Sequence, residues 1–504
     1  MKTSFLSYTL AMTAACPSLA LSQRLADKKT NVLIIMTDEH NLRTLGCYRD
    51  LMPENQAEVW GPGNIVETPH LDALAKDGLI ALSCYASSPI SAPTRSCFQS
   101  GLYSHHTGVS TNNLPMKRDI ETFAQVFADN GYRTGYIGKW HLDGPGRPHW
   151  APGDKFGWQD NRYMFNRGHW KKLKETAEGP QVAAVSPGGK PNYDVAGADE
   201  KSFTTDFLCD RAIEFMRANK ENPFCCMISI PDPHGPNTVR APYDTMFGHL
   251  RFEQPYTYRE RGDHGNAAWE RMEGGFDSRQ MELYFGMVKC IDDNVGKVVD
   301  FLQSEGLYEN TLIIFTADHG DMCGEHHRHD KTVPYEMSAR VPFIMHCPAL
   351  FRKLVVDKTL FASVDFKPTL LGLFGLEARQ KSDGRDMSAY LSGKKMPQTD
   401  AVIFMRSPTS LHAFEGAEQK EGHLYWVAAV TPRYKLIVTP NEGEAPWLVD
   451  LENDPFELRN FYSDPAYADV VSRLSGKLWE YGRTAGDKMV TRSKIKNELK
   501  MKMK

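Results

Sequence analysis

The chain is 504 residues long, with 41% hydrophobic and 24% charged residues. That length predicts two or three domains, and that balance excludes a mainly disordered chain. A net charge of -4, from 59 basic and 63 acidic residues, excludes a nucleic-acid binder held by its overall field and leaves any charged substrate to a local site.

Residues 1–22 read as a signal peptide. Lys2 supplies the positive start, Phe5 to Ala20 is mostly apolar, and Ala20-Leu21-Ser22 has the small-x-small pattern of a cleavage site. The expectation is export to the periplasm or beyond. Cys16, after Thr13-Ala14-Ala15, offers lipoprotein anchoring as the lesser alternative, and a frayed N-terminal helix is the plain structural one. No later stretch approaches the ~20 apolar residues of a transmembrane segment. Ten cysteines become nine on cleavage, an odd number that cannot pair completely. Cys47, Cys84, Cys225, Cys226, Cys290 and Cys347 lie in or beside apolar segments and read as free buried thiols. No CxxC pair supports a zinc ribbon.

Asn31 to Met36 is a continuous apolar run, as in a buried parallel strand. Thr68-Pro69 opens a helix that Gly78 closes, and Leu79 to Ala86 reads as the next strand. A helix is expected to start near Arg95. Glu121 to Asn130 is helical and Tyr132 to Ile137 a strand. Helix and strand follow at Thr204–Arg217 and Phe224–Ile230, then at Ser278–Gln303 and Leu312–Phe315, with another strand at Val341–Met345. This alternation predicts an α/β fold with a mixed, mostly parallel central sheet flanked by helices. From about residue 375 helices thin out. Tyr425–Val430 and Tyr434–Val438 read as a hairpin, and Val470–Tyr481 as a closing helix. The expected organisation is a catalytic domain over 28–375, a smaller C-terminal α+β subdomain with an antiparallel sheet over 376–490, and a solvated basic tail over 491–504.

Ligands in such sheets bind beyond the carboxyl ends of the strands. Polar clusters fall there: Asp38-Glu39, Lys139 with His141, His234, and Asp318-His319. Hard oxygen donors from Asp38, Glu39, Asp318 and the Ser91 side chain suit calcium or magnesium. A divalent cation also removes the repulsion among the carboxylates. Helix capping and surface salt links are the bland alternative.

Ser91-Ala-Pro-Thr-Arg95, followed by Gly101-Leu-Tyr-Ser-His-His-Thr-Gly108, resembles the signature of the formylglycine-dependent type I sulfatase family, within the alkaline-phosphatase-like superfamily. So do Thr37-Asp38-Glu39-His40, Gly138-Lys139-Trp-His141-Leu and Asp232-Pro-His234-Gly-Pro. Asp318-His319-Gly-Asp-Met-Cys-Gly-Glu-His, Lys331-Thr-Val-Pro-Tyr-Glu336 and Val449-Asp-Leu-Glu-Asn-Asp-Pro-Phe-Glu457 continue the likeness, which covers most of residues 30 to 465. It implies oxidation of Ser91 to formylglycine (3-oxoalanine) and a calcium site of Asp38, Glu39, Ser91, Asp318 and His319. One hydroxyl of the hydrated aldehyde attacks sulfur; a base then takes the proton from the other hydroxyl, and sulfate is expelled as the aldehyde reforms. The resemblance gives Arg95 the hydrate to hold, Lys139 and Lys331 the sulfate oxygens, His141 the base role and His234 the acid role, with Lys331 assisting; the two histidines are interchangeable. A serine at the modifiable position implies a radical-SAM maturing enzyme of an anaerobe as partner.

The chain departs from the family at Thr94, where Ser is usual, an exchange expected to slow modification, and at Glu39, where Asp or Gln is usual. A sulfated sugar is the expected substrate, with Trp140, Trp150, Trp158, Trp170 and Tyr163 as a stacking rim and core packing as its alternative. Two other readings stay open: a phosphodiester or phosphonate monoester hydrolase of the same superfamily, and a silent glycan-binding protein whose Ser91 is never converted.

Overall fold

The computed structural model describes residues 25, 28–260, 262, 276–391, 402–408, 425–440, 444–492 and 494–503. The signal-peptide reading and Cys16 lie outside them. The central sheet has eight strands: β1 (Asn31–Asp38), β2 (Leu79–Ala81), β3 (Arg133–Lys139), β4 (Met164–Phe165), β5 (Phe224–Pro233), β6 (Thr311–Ala317), β7 (Phe343–His346) and β8 (Val355–Asp357). Their spatial order is β8-β2-β7-β6-β1-β5-β3-β4. From β6 to β4 every pairing is parallel, while β7 runs antiparallel to both neighbours. All eight β1 residues are buried, as expected where helices cover both faces.

Parallel pairing places the ends of β1, β5, β3 and β6 on one edge. The register sets Thr37 beside Ala317 and, after a bulge, Asp38 beside Pro233, while Gly138 lies beside Ser229. Gly138, at φ 111°, lies so close to Ser229 O that a side chain would collide with it, so the approach of β3 to β5 requires glycine. The helix Ser278–Ser304 buries an apolar face and brings Tyr284 under the site. Its hydroxyl donates to Glu39 O at 2.8 Å and accepts from Asn41 N at 2.9 Å, fixing the turn in which Glu39 takes φ 64°.

A four-stranded antiparallel sheet follows: β9 (Ile403–Pro408), β10 (Tyr425–Val430), β11 (Trp447's partner strand Tyr434–Val438) and β12 (Trp447–Asp450). One face, with Trp426, Ala428 and Trp447, joins the main core, and the other packs on helix Ala468–Thr484.

The structure corrects several expectations. The helix expected near Arg95 spans Ser91–Ser100, because Pro93 falls in the first turn, where its missing N–H costs nothing. The run Leu79 to Ala86 breaks at Leu82-Ser83, and Cys84–Tyr85 pairs instead with Phe361–Ala362. The basic tail is no free solvated segment: Lys494–Lys502 is helical and buries Ile495 and Leu499, one turn apart, beside Leu474 and Leu478. The aromatic rim dissolves into the core, since Trp140, Trp158 and Trp170 are buried and only Trp150 and Tyr163 stay partly exposed. Nine described cysteines are free and buried. No described helix is long and apolar enough to cross a membrane.

Candidate active site

Ser91 is the first residue of its helix and is 2% exposed. Its Oγ lies 3.0 Å from His319 Nε2 and 3.5 Å from Asp38 Oδ1. Arg95, one turn on, fixes both carboxylates. Its Nε donates to Asp318 Oδ2 at 2.9 Å and its Nη2 to Asp38 Oδ2 at 3.1 Å. Lys139 also pairs with Asp38 Oδ2. The cations therefore occupy the Oδ2 atoms and turn the Oδ1 atoms toward His319 Nε2, which is 3.7 Å from Asp38 Oδ1 and 3.5 Å from Asp318 Oδ1. The backbone N–H of Glu39 and of His319 both donate to Asp318 Oδ1 and lock its rotamer.

Asp38, Asp318 and His319 offer ligand atoms within 4.8 Å of one another, all buried, and Ser91 Oγ adjoins them. Two carboxylate oxygens, an imidazole nitrogen and a hydroxyl fit a divalent cation. Asp38 is ready to bind one as an anion. Burial would lift its carboxyl, but the Lys139 ammonium and the Arg95 guanidinium outweigh that and hold it well below the usual range.

Glu39 points elsewhere. Its Oε1 is 2.9 Å from Lys331 Nζ and its Oε2 3.0 Å from His234 Nε2, outside the three-residue cluster. Burial pushes Glu39 well above the usual carboxylate range, against the pull of Lys331. Lys331 Nζ is also 2.7 Å from His234 Nε2, while His234 Nδ1 lies 2.9 Å from Gly235 O. Nδ1 thus carries the hydrogen, assigned from its carbonyl partner, and Nε2 accepts from Lys331. Burial, then Lys331, keeps His234 neutral by lowering it well below the ordinary imidazole value. His141 stands apart, with φ 62° and both ring nitrogens buried without a hydrogen-bond partner among the described residues. Burial, then Lys139, holds it well below the usual value, so it is a neutral base.

Ser91, Lys139, His141, His234 and Lys331 line one cavity of about 240 Å³. Asp38 and His319 join the cavity lining through Ser91, and Asp38 also through Lys139. Sequence reasoning missed His169, which stacks on His234 at 3.5 Å and lies 2.8 Å from Lys139 Nζ. It also missed Ser229, whose Oγ accepts from Arg95 at 2.7 Å. Neither belongs to a motif; a polar residue inside the otherwise apolar run Phe224–Ile230 was the available hint for Ser229. His105 and His106 lie away from the cavity, both against Ala485 O, as local structure.

The sequence model of the sulfatase family matches residues 30–376, and a model described as N-sulphoglucosamine sulphohydrolase, C-terminal, matches 324–484. An N-acetylglucosamine-6-O-sulfatase of Bacteroides thetaiotaomicron is 26% identical, covering 94% of this chain and 90% of its own. Among solved structures, a protein in complex with its substrate D-glucosamine-2-N,6-O-disulfate superposes with a TM-score of 0.72 at 22% identity over 91% of this chain and 98% of its own. A phosphonate monoester hydrolase from Silicibacter pomeroyi superposes with a TM-score of 0.69, also at 22%, over 92% and 97%. At that identity these two likenesses speak for the fold alone.

Proposed function

The chain belongs to the sulfatase family of sulfuric ester hydrolases, and from that membership we propose that it removes sulfate from a sulfated carbohydrate, using a formylglycine made from Ser91 and a calcium ion. The observation that carries this reading is the convergence of Asp38 Oδ1, Asp318 Oδ1, His319 Nε2 and Ser91 Oγ beneath a cavity lined by cations and neutral imidazoles. The sugar in the name of the N-acetylglucosamine-6-O-sulfatase above supports the carbohydrate assignment.

Asp38, Asp318 and His319 would hold the ion, while Glu39 stays on Lys331 and His234. Calcium supplies charge that favours an ionised nucleophile and balances the sulfate oxygens. Formylglycine at Ser91 supplies a second hydroxyl, so that sulfate is expelled without water attacking sulfur.

The remaining work falls to the chain's own side chains. Arg95 bridges Asp38 and Asp318 and keeps their geometry as charge shifts. Lys139 and Lys331, both buried, reach the cavity and stabilise the sulfate oxygens there. Neutral His141, with no competing partner, takes the proton from the residue-91 hydroxyl during sulfate release. Lys331 carries a proton against His234 Nε2, and this pair delivers it to the leaving oxygen.

The test is intact-peptide mass spectrometry on protein made with a radical-SAM maturing enzyme, paired with sulfate release from defined sulfated sugars. Loss of two hydrogens at Ser91, with release abolished by chelator and restored by calcium, is the expected result. Unmodified serine in such a host sinks the formylglycine claim. Faster phosphate than sulfate release from matched aryl esters sinks the sulfatase one.

A further inference from the structure

His169 lines the cavity yet holds none of the roles assigned above. Its ring lies flat against His234, with centroids 3.5 Å apart and planes 13° apart. Its Nε2 lies 2.8 Å from Lys139 Nζ. An ammonium only donates, so Nε2 accepts and the ring hydrogen sits on Nδ1. Burial above all lowers His169 well below the ordinary imidazole value, so the ring is neutral and able to accept. The two stacked imidazoles are thus handled alike: Lys139 donates to His169, and Lys331 to His234. Asp38, His169 and His234 each offer a ligand atom within 4.8 Å of the others. Lys139 Nζ pairs with both Asp38 Oδ2 and His169 Nε2, however, so an ammonium takes the place a metal would need.

The chain fixes His169 from both sides. Fully buried Asn166 donates to Gly144 O at 2.8 Å, and its carbonyl accepts from His141 N at 2.6 Å. Trp170 is buried, and its Nε1 donates to Arg167 O at 3.0 Å. Gly168, at φ 116°, passes so close to that indole that a side chain would collide with it. Lys171, fully buried, donates to Asp232 Oδ1 at 2.6 Å and to His234 O at 3.2 Å. Thr205 Oγ1 donates to Asp232 Oδ2 at 2.6 Å. The segment 166–171 therefore holds His234 twice, by its ring through His169 and by its carbonyl through Lys171.

We propose that His169 is a positioning residue for departure of the alcohol: its ring face sets the plane of His234 and so aims the Lys331–His234 pair at the leaving oxygen. This rests on the sulfatase reading above and deepens it. The partners at His234 Nδ1 and Nε2 lie along the edge of the ring and fix its ends. A flat neighbour in van der Waals contact is what stops rotation about them. A sugar oxygen leaves poorly without a proton, whereas a nitrophenolate leaves without one. A misaimed acid therefore shows itself as a loss that grows with the basicity of the leaving group.

The experiment uses the matured full chain and two variants. His169→Gln keeps an acceptor for Lys139 and removes the ring, while His169→Phe keeps a ring and removes the acceptor. Each is assayed on substituted phenyl sulfates of rising leaving-group basicity, from 4-nitrophenyl to phenyl sulfate, and on a sulfated sugar. For His169→Gln the expected kcat/KM is nearly unchanged on 4-nitrophenyl sulfate and at least about tenfold lower on phenyl sulfate, a part of the ~10²–10⁴-fold that a general acid contributes. For His169→Phe the whole series should fall in parallel. Crystals of His169→Gln should show the His234 ring turned out of its wild-type plane. A parallel loss in His169→Gln, a loss confined to the sugar, or an unmoved His234 ring overturns the inference while the sulfatase reading stands. If the matured wild type cleaves no sulfate ester, the sulfatase reading falls, and the role in alcohol departure falls with it.

Discussion

Two buried charge clusters lie in this molecule, and they are built oppositely. At the strand ends, Asp38, Arg95, Lys139, Asp318 and His319 sit beneath a cavity of about 240 Å³, with both nitrogens of His141 unpartnered beside it. Where the two sheets meet, Lys435 is enclosed by Glu336 and Glu457. Its Nζ lies 3.0 Å from Glu336 Oε1, 2.6 Å from Glu457 Oε1 and 2.6 Å from Pro334 O, and Tyr85 caps Glu336 at 2.9 Å. The cavity beside that cluster is about 30 Å³, room for a water at most. Burial alone therefore does not mark function here. The site keeps unpartnered polar atoms facing empty space, whereas the joint between the sheets uses its charges on one another.

The largest effect should separate the two. Asp318→Asn keeps the side chain's shape and should lower turnover on the order of 10²–10³-fold, with weaker calcium binding. Tm should move by only a few degrees. Sulfate release and calorimetry read both quantities, and unchanged activity with full calcium binding would erase the distinction. Lys435→Met should do the reverse. Removing one partner from a buried cluster costs about 3–5 kcal/mol, while the folded fraction keeps its kcat. A selective loss of kcat at unchanged stability would give the joint a role in the chemistry.

Gly138→Ala sharpens the comparison by reaching the site through backbone alone. The added Cβ presses on Ser229 O and must displace β3, which carries Lys139. Activity should fall at least about tenfold with a stability loss of about 1–3 kcal/mol. Wild-type kinetics in this variant would show that β3 has slack.

The smallest effect is a pH dependence at the joint. Burial lifts Glu457 to about 7, against the pull of Lys435. A carboxyl raised on folding contributes stability below its unfolded pKa, near 4.5, and loses it as pH rises toward about 7. Glu457→Gln, which keeps an acceptor for Glu336 N, should therefore gain Tm relative to wild type between about pH 4.5 and 7. Melting curves that stay parallel across that range would contradict it.

Much of this was legible in the sequence, for physical reasons that differ by element. The strands Asn31–Asp38 and Thr311–Ala317 announce themselves because both faces are covered and their residues are almost uniformly apolar. The hairpin at Tyr425–Val430 and Tyr434–Val438 occupies those same residues. Ser91, Lys139, His141, His234 and Lys331 were readable because each follows or adjoins a motif, and parallel pairing gathers strand ends. His169 and Asn166 were not readable. They lie in a stretch with little regular structure, where no periodicity says which side chain turns inward. The tryptophans misled for the opposite reason: an aromatic ring is as suited to a sugar as to a core, and only packing decides between them. The tail misled because its lysines dominate the composition, while two apolar residues one helical turn apart are enough to dock it.

The central claim, one divalent ion held between Asp38, Asp318 and His319 beneath residue 91, is tested most directly by anomalous diffraction from crystals of the matured protein grown with calcium. The account predicts a single strong anomalous peak within coordination distance of Asp38, Asp318 and His319. A well-ordered crystal at saturating calcium with no peak there, or with its peak at His70, Asp292 and Asp293 instead, would contradict it.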